Sequence, residues 1–145
     1  MLFVGKFERA VDDKLRVAIP KHFRVALAGS ESGAVYMAPG TDGSVAIYSE
    51  ADFRTLTNRM DQASPTAQDV RAFMRMFFAR VQSVELDSQG RVRVPAELAQ
   101  AAGITKEAVL VGVRDHLELW DRARWDKFTA DHEGRFDELA ESALK

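Results

Sequence analysis

A nine-residue pattern occurs twice in this chain. Residues 12–20 read DDKLRVAIP and residues 87–95 read DSQGRVRVP. Each copy has an Asp, three further residues, an Arg, an apolar–x–apolar run and a Pro. The equivalent residues lie 75 positions apart, pairing Asp12 with Asp87, Arg16 with Arg91, and Pro20 with Pro95. A tight turn does not require the Arg, so its presence in both copies indicates a binding surface.

The similarity continues beyond this pattern. Residues 34–37 resemble residues 108–111, and residues 45–48 resemble residues 117–120. A repeat of this length constrains the architecture before any local prediction is made. Each copy has about 60 residues, a length at which a separate core is marginal. We therefore predict an α+β fold, in which two tandem repeats form one pseudo-two-fold domain with a shared β core.

The length of 145 residues is typical of a single domain, which we predict to cover residues 1–145. Within it, repeat one is expected over about residues 1–60 and repeat two over about residues 80–130. A bridging helix at about 65–79 joins them, and a helical tail covers 131–145.

Each repeat is predicted to begin with two strands joined into a hairpin by its charged turn, at Asp12–Leu15 in the first copy. The Pro then opens a short helix in each repeat. Ser49 is a candidate N-cap for a later helix, and Pro65 is expected to open the bridging helix. One last helix is predicted from about Asp121, with Gly134 as a weak point in its middle.

The Asp of each pattern is placed to hold the Arg. An Asp at the start of a turn accepts local backbone N–H groups, and the Arg four residues later is within reach of its carboxylate. A held guanidinium presents its planar fork to a phosphate or to a guanine edge. The candidate binding residues are Asp12, Lys14 and Arg16 in the first turn, and Asp87, Arg91 and Arg93 in the second.

Composition and motifs argue against several other functions. The net charge is −2, so binding to nucleic acid requires a local basic patch. The absence of Cys excludes disulfides and thiolate metal sites. His22, His116 and His132 have no second ligand at metal spacing, and there is no P-loop or G-x-S-x-G motif. We predict neither an enzyme nor a cofactor, metal, membrane or small-molecule substrate.

The residues resemble those of the MraZ family of bacterial transcriptional regulators and, more broadly, the AbrB-like swapped-hairpin superfamily. The resemblance covers about residues 1–130. It rests on both Asp–Arg patterns and on Phe3, Gly5 and Phe7, Arg71-Ala72-Phe73, and Leu119-Trp120-Asp121 followed by Trp125. It implies two tandem AbrB-like βαββα repeats.

The resemblance also implies a function. The chain would form a ring-shaped homo-oligomer, in the cytoplasm and on the nucleoid. It would bind direct repeats in the promoter upstream of its own cell-division and cell-wall gene cluster. The DNA contacts would lie at Asp12, Arg16, Asp87 and Arg91, with Lys14 matching the usual Lys of the family.

The sequence leaves two points open. Leu15 departs from the usual Gly, and Leu disfavours positive φ, so the conformation of the first turn is not fixed by the resemblance. The alternative function is an AbrB-like oligomeric protein-interaction or antitoxin-like module. In that case the charged turns would make subunit contacts instead of specific DNA contacts.

Overall fold

The structure is a computed structural model that describes residues 2–29 and 33–145. Its strands and helices follow the order of the two repeats. They are β1 (Lys6–Ala10), β2 (Arg16–Ala18), α1 (Lys21–Ala28), β3 (Ala34–Pro39), β4 (Val45–Ser49), α2 (Glu50–Met60), α3 (Gln68–Phe78), β5 (Gln82–Glu85), β6 (Arg91–Arg93), α4 (Ala96–Ala101), β7 (Glu107–Gly112), β8 (Leu117–Asp121), α5 (Arg122–His132) and α6 (Phe136–Ala143). None of the described helices has the length and apolar character needed to span a bilayer.

The strands form two antiparallel sheets, and both repeats contribute to each. The larger sheet has the order β1-β7-β8-β4-β3-β5, and the smaller sheet pairs β2 with β6. A pseudo-two-fold relation exchanges β1 with β5, β2 with β6, β3 with β7 and β4 with β8. The predicted α+β fold with a shared β core is therefore confirmed.

The prediction that the two strands flanking each charged turn pair with each other as a hairpin is wrong. Of the described strands, β1 pairs with β7 and β2 pairs with β6, so the partners come from the other repeat. The turn itself closes, since the Asp12 N–H donates to the Arg16 carbonyl at 3.2 Å. The exchange follows from burial, because the three-residue β2 places Val17 in the shared core. It agrees with the swapped-hairpin architecture that the resemblance implied.

The main core lies between the smaller sheet, helices α1 and α4, and the inner face of the larger sheet. Val17 and Val92 of the paired strands are buried in it, together with Phe23 of α1 and Leu98 of α4. Full burial of such side chains contributes about 1.5–3 kcal/mol each. Because these residues come from both repeats, neither repeat has a complete core of its own.

A second apolar cluster lies under α2 and α3. Tyr36 stacks on Phe53 with ring centroids 4.8 Å apart, and Phe77 of α3 packs against the same ring at 6.4 Å. Ser49 caps α2 as predicted, because its hydroxyl accepts the Asp52 N–H at 3.1 Å.

Two helix predictions are corrected. The bridging helix α3 begins at Gln68 and not at Pro65. Pro65 instead occupies a β-turn that the Ala67 N–H closes on the Ser64 carbonyl at 3.3 Å. The predicted last helix is two helices, α5 and α6, and the break falls at the predicted weak point, Gly134. The break is a short 3-10 segment, Glu133–Arg135, around Gly134, whose helix propensity is low.

Candidate nucleic-acid interface

The first charged turn is organised by the carboxylate of Asp12. Its Oδ1 accepts the backbone N–H groups of Lys14 at 2.9 Å and Arg16 at 2.8 Å. Its Oδ2 accepts the Nε–H of Arg16 at 2.7 Å. One carboxylate therefore fixes both the backbone of the turn and the orientation of the guanidinium.

The second turn repeats this geometry. Oδ1 of Asp87 accepts the N–H groups of Gln89 and Arg91, each at 2.9 Å, and Oδ2 accepts the Arg91 Nε–H at 2.8 Å. The expected bracing of Arg by Asp is thus present in both copies. A longer ion pair, 3.9 Å from Arg91 Nη1 to Asp12 Oδ2, connects the two turns.

The two turns lead into the paired strands β2 and β6, which we call the arginine ribbon. Its register places Arg16 opposite Arg93, Val17 opposite Val92, and Ala18 opposite Arg91. Both valines are buried, so the alternation of a strand places the three arginines on the outer face. Like charges opposite each other destabilise a sheet. The ribbon therefore carries an arrangement that folding alone would not favour.

Both carboxylates of the turns are ionised at neutral pH. The backbone N–H of Arg16 is the largest cause that lowers the pKa of Asp12. Burial opposes it, and the side-chain bond to the same Arg and the backbone N–H of Lys14 add to the lowering, so the pKa is lowered overall. The corresponding bonds from Arg91 lower the pKa of Asp87. Lys14 and Arg93 are exposed, and the described residues include no salt bridge for either. These two cations supply positive charge beyond that of the braced pairs.

Comparison with known proteins gives a consistent result over the whole chain. Residues 2–76 and 77–145 each match the family described as "MraZ protein, putative antitoxin-like". The chain is 39% identical over 139 residues to the "Transcriptional regulator MraZ" of Alkaliphilus oremlandii, covering 96% of this chain and 94% of the relative. It is 39% identical over 143 residues to the protein of that name from Lactiplantibacillus plantarum, covering 99% of each. It is 35% identical over 144 residues to the protein of that name from Mycobacterium sp. (strain KMS), covering 99% of this chain and 98% of the relative.

The chain belongs to the MraZ family. The two family matches meet between residues 76 and 77, in the last turns of α3. They assign one family unit to each half of the pseudo-two-fold fold. Each unit supplies one charged turn and one strand of the arginine ribbon, so the ribbon is complete only when both MraZ units are folded together.

Arg24 is a residue near this surface that the sequence analysis missed. Its Nε–H donates to the Ile19 carbonyl at 2.9 Å, and its guanidinium lies directly over Gly90 in the second turn. A Cβ at position 90 would overlap it. The residue 75 positions later is Ala99, so this cation is present beside only one of the two turns. Arg24 could be recognised only after the strand exchange was known, because α1 belongs to the other repeat.

Leu15 adopts the conformation that the family's Gly would adopt. Its φ is +61°, close to the +76° of Gly90 in the second turn. A left-handed conformation costs an ordinary residue about 1–2 kcal/mol. Leu15 is half-buried against the main core, which offsets part of this cost. The departure from Gly therefore leaves the geometry of the first turn unchanged.

His116 is the centre of a separate polar cluster in the turn between β7 and β8. Its Nδ1 lies 2.8 Å from Asp115 Oδ1, its Nε2 lies 3.4 Å from Glu118 Oε2, and its ring stacks on Tyr48. Burial alone would lower the pKa of His116. The bonds to Glu118 and Asp115 together outweigh burial, and the pKa is raised. The described residues include no group of His, Cys, Asp and Glu that could hold a metal ion.

Proposed function

We propose that the chain is a sequence-specific DNA-binding transcriptional regulator that acts through the arginine ribbon. The relatives that match it over nearly their full length are named transcriptional regulators. The observation that carries the proposal is the outer face of the ribbon, where two Asp-braced arginines and Arg93 lie side by side.

The ribbon suits the major groove of DNA in shape and in chemistry. That groove is about 12 Å wide and admits a two-stranded β-ribbon, which other β-sheet DNA readers use in the same way. Arg16 and Arg91 are held through Nε, so their Nη groups can contact a guanine edge or a phosphate. Lys14, Arg93 and Arg24 would contact phosphates. Asp12 and Asp87 would position the arginines without touching DNA.

One subunit should bind DNA weakly. With about four phosphate contacts, affinity would fall roughly 10²-fold between 50 and 200 mM salt. Several linked ribbons could increase the overall affinity by about 10²–10⁴. We therefore include a ring-shaped homo-oligomer in the proposal, bound to direct repeats in the promoter of a cell-division and cell-wall gene cluster.

The test is a gel shift on the chain's own upstream DNA, with footprinting to locate the protected repeats. The double variant R16A/R91A should lose specific binding while its size in solution stays that of the unaltered protein. Binding that persists in this variant would refute the assignment of the site.

The second candidate is an antitoxin-like protein-interaction module, which the family description favours. In that case the charged turns would contact another protein chain. The same variant separates the two candidates. Loss of assembly with unchanged DNA affinity would favour the interaction module.

A further inference from the structure

The two ends of the arginine ribbon present different side chains. The offset of 75 residues makes Ala18 the counterpart of Arg93, as Arg16 is the counterpart of Arg91. The register places Arg16 opposite Arg93 beside the first charged turn, and Arg91 opposite Ala18 beside the second. We call these pairs the first-turn end and the second-turn end. The first-turn end therefore has two arginines side by side, whereas the second-turn end has one arginine beside a methyl group.

The surroundings of the two ends differ as well. Lys14 of the first turn is replaced by Gln89 in the second. Arg93 is exposed, and the described residues include no ion pair for it. At the second-turn end the additional cation is Arg24, whose Nε–H is bonded to the Ile19 carbonyl at 2.9 Å. The first-turn end thus has two cations without a bonded partner in the described part of the chain, and the second-turn end has one cation that a carbonyl holds.

The side chains at the two ends have different partners in the major groove. An Arg fork bonds O6 and N7 of guanine, and an Ala methyl contacts the 5-methyl group of thymine. Opposite side chains of a ribbon are about 4.5–5.5 Å apart at Cβ, and successive base pairs are about 3.4 Å apart, so one end of the ribbon can contact two neighbouring base pairs. The chemistry favours two neighbouring guanines at the first-turn end. It favours a guanine next to a thymine at the second-turn end.

Identical ends would give a palindromic site, because the symmetry of an operator mirrors the two-fold symmetry of the protein that reads it. A subunit with identical ends would also bind its element equally well in both orientations. The presence of Ala18 where the other strand has Arg93 removes this equivalence. One element then fits the ribbon better in one orientation than in the other.

We propose that the arginine ribbon binds a non-palindromic DNA element in a single orientation, and that Ala18 and Arg93 determine this orientation. The element has two neighbouring guanines at one end and a guanine next to a thymine at the other. The inference rests on the proposed function and adds to it the direction in which each repeat is read. Repeats that all run the same way would then be bound by subunits that all face the same way.

The first experiment determines the orientation with a cleavage probe. The chain contains no Cys, so Asp13→Cys and Ser88→Cys each provide one attachment point for an iron–EDTA group. Both residues are exposed and occupy equivalent positions in the two turns, 75 residues apart. On a duplex with one repeat, the probe at position 13 should cleave DNA at one flank and the probe at position 88 at the opposite flank. Cleavage at both flanks by each probe would overturn the proposal.

The second experiment exchanges the two ends. A18R/R93A moves the paired arginines to the second-turn end and leaves the net charge unchanged, and both positions lie on the outer face of the ribbon. On the same duplex, the two probes should now cleave the exchanged flanks. The control A51R/R54A makes the same exchange at exposed positions of α2, and its probes should cleave as in the unaltered protein. Unchanged flanks in A18R/R93A, with native circular dichroism, would overturn the role of Ala18 and Arg93.

Altered bases test each end without the exchange. Replacing one of the two neighbouring guanines should lower the affinity about 5–150-fold, and this loss should disappear in Arg93→Ala. Replacing the thymine by deoxyuridine removes only its methyl group and should lower the affinity about fourfold, with no such loss in Ala18→Gly. Losses of the same size in the variants and in the unaltered protein would overturn the assignment of these bases.

These outcomes separate the inference from the proposed function. If R16A/R91A binds the repeat as the unaltered protein does, the function itself fails. If R16A/R91A loses binding but each probe cleaves both flanks, the function stands and the single orientation is refuted.

Discussion

The contact between Arg24 and Gly90 makes the second turn sensitive to a single methyl group. Gly90 has a φ of +76°, so Gly90→Ala adds left-handed strain of about 1–2 kcal/mol. The new Cβ also displaces the Arg24 guanidinium from its bond to the Ile19 carbonyl. The net contribution of one hydrogen bond to the free energy of unfolding is about 0.5–1.5 kcal/mol. The free energy of unfolding should therefore fall by about 1.5–3.5 kcal/mol.

The assay is thermal or urea unfolding of Gly90→Ala, Arg24→Ala and the double variant. For a chain of this size, the expected loss corresponds to a fall in Tm of roughly 3–14 °C. In the Arg24→Ala background, Gly90→Ala should cost only the strain of about 1–2 kcal/mol. Equal costs in the two backgrounds would refute the contact. A cost near zero in both would refute the positive φ as well.

Three further predictions concern the braced pairs and the histidine cluster. R16K/R91K keeps both positive charges, so the salt dependence of DNA binding should not change. Each lost guanidinium fork should reduce the preference for the correct base over a wrong one by about 1–3 kcal/mol. Competition between the natural repeats and repeats with altered bases measures this preference. The pKa values of Asp12 and Asp87 are lowered from 3.8 in the folded protein. The two carboxylates therefore stabilise the fold fully at pH values above 3.8, and this stabilisation is lost as the pH falls through their folded-state pKa values. In D12N/D87N, the free energy of unfolding measured in urea should depend less on pH in that acidic range. An unchanged pH dependence would contradict the contacts between each Asp and its Arg. The pKa of His116 is raised above 6.5, so its ion pairs stabilise the fold below that pH and lose this effect as the pH rises through the folded value. A pKa of His116 at or below 6.5, measured by NMR titration, would contradict this.

The duplicated pattern made much of the fold predictable. It indicated two repeats, a shared core and a turn in which Asp holds Arg, because these features depend on local chemistry repeated at a fixed offset. The cap at Ser49 was predictable for the same reason, since it needs only a hydroxyl and a nearby N–H.

The pairing of the strands could not be read from local sequence. The turn at Asp12–Leu15 has the same residues whether β2 pairs with β1 or with β6, and the burial of Val17 and Val92 decides between them. Arg24 reaches the second turn only because strands of the two repeats pair with each other, so its role could not be predicted from local sequence either. The prediction for Pro65 is wrong because the first turn of a helix and position i+1 of a β-turn both accept Pro.

The most direct test of the arginine ribbon is quantitative binding to the chain's own upstream repeats, comparing two variants that each lose two positive charges. R16A/R91A removes the braced arginines. R54A/K127A removes exposed cations of α2 and α5, outside the ribbon. The ribbon predicts that R16A/R91A loses about 1–3 kcal/mol per arginine at constant salt, while R54A/K127A binds almost as the unaltered protein does. Equal affinities of the two variants would contradict it.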